Sequence, residues 1–357
     1  MEPRKINNLA DLREFLEAAV QLELSVIPPY MCALYSIVPN TNDVSSQIIR
    51  SVIVEEMLHL INAANTLNAV KDGRPVVTGE DVVPKYPTAL PDGETMFKVH
   101  LDPFSTTAVE TFLKIEYPAL PHGPEKVLRA AVVEREATPL KVAGLGHGTV
   151  TDFYLEIIAG IDRLVKELGE KEVFPNDRPD RQITSAYYYA GGGDPVPVRN
   201  SAEAKNAIEE IIDQGEGDIH SLFDNDGDLG HYFRFDQIQK GQRYLAGDNP
   251  GQPTGGPLPV DYAQVYPMHR DPRMEDFPPG ELRTRAVSFN VAYSNLLRKI
   301  QAAFDGAPEQ LLPAVGLMFD MRYTAVELMK NPLPGTEFNA GPTFEWVPVV
   351  PPVAAGS

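Results

Sequence analysis

Two pairs of side chains in this sequence place a carboxylate three residues before an imidazole. They are Glu56 and His59, in VIVEEMLHLINAANTLNAV, and Asp228 and His231, in GDLGHYFRFDQI. On a helix, positions i and i+3 sit side by side on one face. Around the first pair, Ile53, Leu60, Ala63 and Leu67 recur at helical spacing, so the pair falls inside an apolar stripe. Ionisable groups are buried only when hydrogen-bonded, paired or metal-bound. Acid-x-x-His on two helices, with a further carboxylate from each of two others, is the ligand plan of a carboxylate-bridged dimetal centre. In a chain with seven histidines one such pair is unremarkable, but two interleaved with lone acids are harder to dismiss.

The lone acids are Glu23, in QLELSVIPPY, and one of Asp152 and Glu156, in GTVTDFYLEII. Spacing leaves the choice between Asp152 and Glu156 open, because Asp152 also suits the first turn of its helix, where the macrodipole favours an acid. Glu216 stands between two glycines in GEGD. Tyr30 and Tyr35 follow Glu23 at a similar depth, and Tyr154 accompanies Asp152; these phenols are candidates to hydrogen-bond a bound oxygen species or simply to fill space. Arg234 and Asp236 are candidates to orient an imidazole. Oxygen and imidazole ligands with open positions suit iron or manganese. The single cysteine, Cys32, excludes thiolate-rich zinc or iron–sulfur sites and an internal disulfide framework.

The elements that would carry these residues are helices. Asn8 or Asp11 caps an apolar-periodic segment from Asn8 to Val38, which the Pro28–Pro29 pair is expected to kink or break. The Glu56/His59 helix spans Ile48 to Val70. Lys71 to Pro121 has little helical period, and its runs VVPKYPTAL and MFKVHLDP suggest extended loops or a small hairpin. Val127 to Val142 reads as a surface helix, with His122 and His147 as loop residues beside it. A third long helix covers Gly148 to Leu168, with Thr149 or Thr151 as cap. Tyr187–Tyr189 before Gly191–Gly193 reads as a packed surface loop or a flap over a pocket. Ser201 to Gln214 is a capped amphipathic helix, and the Asp228/His231 helix follows. A Pro/Gly-rich connector after Ala246 marks the clearest boundary, and helices at 279–304 and 308–330 and an extended tail complete the chain. The organisation expected is an all-α, four-helix bundle over 1–246 with inserted loops, and an addition over 247–357 packed upon it.

Composition agrees with a core of that size: 43% of the 357 residues are hydrophobic. The net charge of −19 and a pI near 4.8 argue against nucleic acid and anionic membranes, which need a basic footprint. No run reaches the roughly 18 apolar residues of a spanning helix, and MEPRKINNLADLREF lacks the apolar core of a signal peptide. A cytoplasmic setting is the expectation. There is no phosphate-binding glycine loop, nucleophile elbow or dinucleotide fingerprint.

With these residues in hand, the sequence resembles the ferritin-like family, in particular the ferritin-like portion of the iminophenylpyruvate dimer synthases of violacein- and rebeccamycin-type pathways. The resemblance rests on QLELSVIPPYMCALYSI, VIVEEMLHLINAANTLNAV, GTVTDFY, DQGEG, GHYFRFDQI, FNVAYSNLLRKI, AVGLMFDMR and AGPTFEWVP, and covers nearly the whole chain. It implies a ferritin-like bundle with metal ligands at Glu23, Glu56, His59, Asp152, Asp228 and His231, and Glu216 as a further ligand or a support for one. Relatives often carry Glu where this chain has Asp152 and Asp228, and the shorter Asp implies a widened metal position, a single metal, or a backbone shift that absorbs the difference. The functions implied are a non-haem diiron oxidoreductase acting on a small, amino-acid-derived metabolite with dioxygen, an imine-coupling dimer synthase, or a metal-storage protein. The long loops and the extension after Ala246 speak against storage. A homo-oligomer fits any of the three.

Overall fold

The computed structural model describes residues 4–90, 97–117, 149–189, 191–216, 222–224 and 227–348, with the side chain of Glu216 excluded. Among these residues the secondary structure is helical, with isolated bridges and no strands. The helices are α1 (Leu9–Ser36), α2 (Asp43–Ala69), α3 (Thr106–Ile115), α4 (Val150–Leu168), the short α5 (Glu170–Val173), α6 (Ser201–Glu216), α7 (His231–Lys240), α8 (Glu281–Phe304) and α9 (Leu311–Met329). None of them is long and apolar enough to cross a membrane. The expected surface helix at 127–142, together with His122 and His147, lies outside the described residues.

The antiparallel pair α1–α2 is the axis of the molecule. On one side it packs against α3, α4, α6 and α7, and on the other against α8 and α9. Asn8 caps α1 by accepting from the Asp11 amide at 2.9 Å, leaving apolar residues from Leu12 to Tyr35 to fill the core. Of the kink or break expected at Pro28–Pro29, the break does not occur: α1 continues to Ser36. Pro29 cannot donate to the carbonyl of Ser25 four residues back, and the Tyr86 hydroxyl supplies the missing bond at 2.8 Å. The neighbouring loop repairs the helix.

α4 is capped by Thr149, which accepts from the Asp152 amide at 3.0 Å, and ends at Gly169 with a φ of +92°. Phe15 of α1 stacks on Phe153 of α4 with centroids 5.6 Å apart. The chain ahead of α1 is clamped to α4, where the Ile6 amide donates to Glu156 Oε1 at 2.8 Å and Arg163 bonds the Ile6 carbonyl. A Cβ at Gly160 would stand 2.7 Å from Ile6, so glycine is required for that approach. The runs read as extended loop or hairpin meet in a single antiparallel bridge between Thr88 and Val99.

The residues after the Pro/Gly connector share one continuous hydrophobic core with the bundle. The connector is sewn to the end of α1, where the Val38 amide donates to Gln264 at 3.1 Å and the Tyr266 amide to Ser36 at 2.8 Å. The extended tail runs along α8. Asn290 accepts from Thr343 and from the Glu345 amide, and Arg298 lies 4.5 Å over the Trp346 ring.

Candidate metal centre

Each bundle helix delivers its residue to one buried spot between α1, α2, α3, α4, α6 and α7. Glu23 comes from the middle of α1, and Glu56 and His59 from one face of α2. His231 is the first residue of α7, and Tyr154 faces them from α4. All five are nearly or fully buried. The His59 and His231 rings stack with centroids 5.3 Å apart, and ligand atoms of Glu56, His59 and His231 all lie within 4.8 Å of one another. Glu23, Glu56, His59 and Tyr154 line, with Thr151, Ile211, Ile212 and others, a cavity of about 500 Å³ counting its open mouth.

A carboxylate that sequence reasoning missed completes the cluster. Glu116 follows directly after α3, lines the same cavity, and lies 3.5 Å from His231 Nδ1. Helix α3 falls in the stretch read as loop. Its signal was present but short: Ser105 is an N-cap, accepting from the Ala108 amide at 3.1 Å, and Val109, Phe112 and Leu113 keep the helical period over only ten residues.

The hydrogen bonds around the two imidazoles fix which nitrogen faces inward. Gln214 of α6 donates its amide nitrogen to the Gly192 carbonyl at 2.8 Å and to Glu210 at 2.9 Å. Its amide oxygen therefore points at His59 Nε2, 3.0 Å away, and His59 must donate there. Nδ1 of His59 is left bare toward Glu56, at 3.6 Å, and Glu23, at 3.9 Å. His231 Nε2 meets Glu55 at 2.9 Å, and Arg234 holds that carboxylate at 2.7 Å. His231 Nδ1 stands 2.8 Å from Glu56, yet it has no hydrogen-bond partner. Partners of this kind set the tautomer and basicity of metal-binding histidines. Gly192 and Gly193, at φ of +81° and +111°, close over both supports: a Cβ at Gly192 would sit 2.6 Å from Glu55 Cγ, and one at Gly193 3.2 Å from the Gln214 amide nitrogen.

The charges are poised for a cation. Burial, and then the charge of Glu56, push the Glu23 carboxyl well above its ordinary value; burial, and then Glu116, raise Glu56. Burial lowers His59, and the nearby Glu23 only partly offsets it. Burial would lower His231 too, but Glu116, Glu55 and Glu56 outweigh it and hold the imidazole well above normal. Burial would raise Glu55, but His231 and Arg234 hold it at about 2. In the cation-free protein, protons thus occupy positions that a metal would otherwise neutralise. The Tyr154 hydroxyl donates to Glu23 and that of Tyr30 to Glu116, fixing the two outer carboxylates. An all-oxygen and imidazole donor set with a bare, buried Nδ1 at its centre fits a divalent transition metal.

The other candidates lie elsewhere. Glu156 is held by Ile6 and Arg163 on the far side of α4. Asp152 is half-buried in the first turn of α4 and does not line the cavity, whereas Thr151 and Tyr154 do. Asp228 is exposed. The helix there begins only at His231, because Gly227 turns the chain at a φ of +87° and Asp224 ties the turn by accepting from the Asp228 amide at 2.8 Å. The acid-x-x-His spacing at 228–231 is therefore not helical. Tyr35 is buried beyond the cavity, where its burial raises the phenol and Arg322 and Cys32 are its charged or titratable neighbours. Cys32 contacts Met268, away from the centre. Asp236 pairs with Lys240 at 2.9 Å and with Tyr244, leaving Arg234 as the one of the two that reaches an imidazole's partner. The side chain of Glu216 lies outside the described residues.

The Ferritin-like family model matches residues 16–240, the span that carries all of the clustered residues. The chain belongs to the ferritin-like family. Among solved structures it is similar to a ferritin like protein from Caulobacter vibrioides, with 22% identity and a TM-score of 0.62. That match covers 95% of this chain and 99% of the other, so the likeness includes the helices beyond the family span. A search among curated proteins finds no match.

Proposed function

We propose that this ferritin-like protein is a non-haem, metal-dependent oxidoreductase, holding two iron ions and acting on a small, amino-acid-derived metabolite. One observation carries the reading: two imidazoles, held from behind by Gln214 and Glu55, turn their Nδ1 atoms toward the same group of buried carboxylates. Glu56, His59 and Glu23 would hold one ion, and Glu56, His231 and Glu116 the other. Bound iron would supply the reduction of dioxygen coupled to oxidation of a substrate. The protein's own part is to fix these ligands, to keep Glu23 and Glu116 oriented through Tyr154 and Tyr30, and to exclude water with Ile115, Val150 and Ile211. The likeness of several stretches to iminophenylpyruvate dimer synthases favours an amino-acid-derived substrate.

The test is anaerobic reconstitution with ferrous iron, followed by metal analysis and dioxygen uptake with panels of amino acids and their keto and imino derivatives. About two irons per chain and substrate-dependent uptake that is lost in His59→Ala are expected. Uptake of many irons per chain without substrate dependence would point to storage and overturn the reading.

A further inference from the structure

Helix α9 carries two apolar stripes. Ala314, Met321, Ala325 and Leu328 form the inner one and are buried where α9 packs on α8 and α1. Leu312, Gly316, Phe319 and Tyr323 form a second on the outside, where Leu312 is 48%, Phe319 63% and Tyr323 70% exposed. Their intervals of four, three and four residues are those of the seam between two coiled helices. An exposed apolar stripe of this kind marks an interaction surface. Asp320 and Arg322, the exposed charged residues interleaved with it, contribute one charge of each sign. The stripe is thus neutral on a chain of net charge −19, so it offers nothing to attract a basic partner and lets a second acidic copy approach.

The shape of the stripe selects its occupant. Gly316 lies inside a helix, where glycine is less favourable than alanine, and nothing in the chain requires it: a Cβ there would meet no atom within 4 Å. A shallow hole therefore lies nearly one turn before the projecting ring of Phe319. A second α9 can be laid against the first antiparallel, with a two-fold axis passing between Leu317 and Met318. Phe319 then seats over Gly316 of the other copy, and Tyr323 meets its Leu312. Both contacts recur on the far side of the axis, as a self-complementary interface requires. Parallel pairing would set Phe319 on Phe319 and leave a gap between the two glycines, and it would align the helix dipoles unfavourably. At their exposures, Phe319 and Tyr323 together offer roughly 200–330 Å² per copy. With Leu312 and the flanks of the stripe, the total over both copies is on the order of 1,000 Å², the lower end for a specific interface.

We propose that α9 joins two copies of this chain, paired antiparallel about a two-fold axis, with Phe319 of each seated over Gly316 of the other. The contact stands independently of the metal chemistry and is tested on the full-length chain by sedimentation equilibrium. A reversible monomer–dimer equilibrium with a dissociation constant on the order of 1–10 μM is expected for an interface of this size. Phe319→Glu and Gly316→Leu should each weaken it by about tenfold or more, the first by placing a charge in the seam and the second by filling the hole. Both positions are exposed, so circular dichroism should show each variant folded like the parent. Cysteine pairing reads the register, since the native Cys32 is buried. Mild oxidation of Leu312→Cys mixed with Tyr323→Cys should give a disulfide-linked dimer. Neither variant alone should do so, because each cysteine then lies about 16 Å along the axis from its copy, beyond disulfide reach. A chain still monomeric at about 100 μM, a dimer that Phe319→Glu and Gly316→Leu leave as tight as the parent, or linkage of Leu312→Cys to itself would overturn the proposal. A monomer whose Phe319→Cys resists thiol labelling would make another segment of this chain the cover, and would overturn it as well.

Discussion

Replacing Gln214 by leucine separates the orientation of His59 from its presence. The side chain is of similar size and 4% exposed, so packing is largely retained. What is lost is the acceptor 3.0 Å from His59 Nε2 and the two donations to Gly192 and Glu210. A buried N–H left unpaired costs about 1–3 kcal/mol, and the partly buried Gly192 carbonyl adds less, so the metal-free protein should lose about 2 kcal/mol in urea unfolding. With its tautomer no longer fixed, His59 spends part of its time with a proton on Nδ1. Loss of such an orienting partner typically lowers metal affinity by about 10- to 100-fold. The assay is competition for ferrous or manganous ion against a fluorescent chelator. Gln214→Glu keeps the acceptor for His59 but turns a carboxylate oxygen toward Glu210 and the Gly192 carbonyl, so it should recover only part of the affinity. A folded Gln214→Leu with affinity within about twofold of the parent would refute the argument, because orientation of the imidazole would then be irrelevant to binding.

Glu55→Gln leaves Arg234, 6% exposed, without its anion. Breaking a buried pair in this way should cost about 3–5 kcal/mol in urea unfolding; a loss below about 1 kcal/mol would contradict the pairing. Because the Glu55 carboxyl is depressed to about 2 from 4.5, its contribution is complete above 4.5 and fades as pH falls toward 2. The stability gap between parent and variant should narrow across that window and stay flat above it. Glu116→Gln should lower metal affinity by about tenfold or more while Tyr30→Phe has a smaller effect, since the phenol only positions the carboxylate; equal affinity in Glu116→Gln would remove Glu116 from the ligand set. Asp152→Asn and Asp228→Asn should each leave metal affinity within about twofold, and a large loss in either would show that the loaded centre draws in a carboxylate that here stands apart.

Much of the centre was legible because helical spacing is a local property. Glu56 and His59 sit on a long, strongly periodic helix, and once that face was fixed Glu23 and the helix of Tyr154 had to point at it. That α1 runs on through Pro28–Pro29 without breaking was not legible, because the bond that replaces the lost one is not local: Tyr86 arrives from about sixty residues away. Asp228 misled because the spacing of an acid and a histidine says nothing about where the helix starts, and two glycines start it late. Glu116 was hidden by a ten-residue helix inside a stretch dominated by prolines and extended runs. Glu55 and Gln214 carried no signal at all. An acid next to Glu56 points to a different face of α2, and only the return of α7 and the Gly191–Gly193 turn gives it His231 and Arg234 as partners. The addition at 281–329 was legible as packing helices, but which apolar stripe of α9 stays outside follows only from the assembled core.

The most direct measurement is anomalous diffraction from crystals grown with manganous ion, recorded at the manganese edge. The account predicts two neighbouring peaks in the interior, one about 2 Å from His59 Nδ1 and beside Glu23, the other about 2 Å from His231 Nδ1 and beside Glu116, each within reach of a Glu56 oxygen. A peak only at surface acids such as Asp228, or an interior with both Nδ1 atoms bonded to water and no metal, would contradict it.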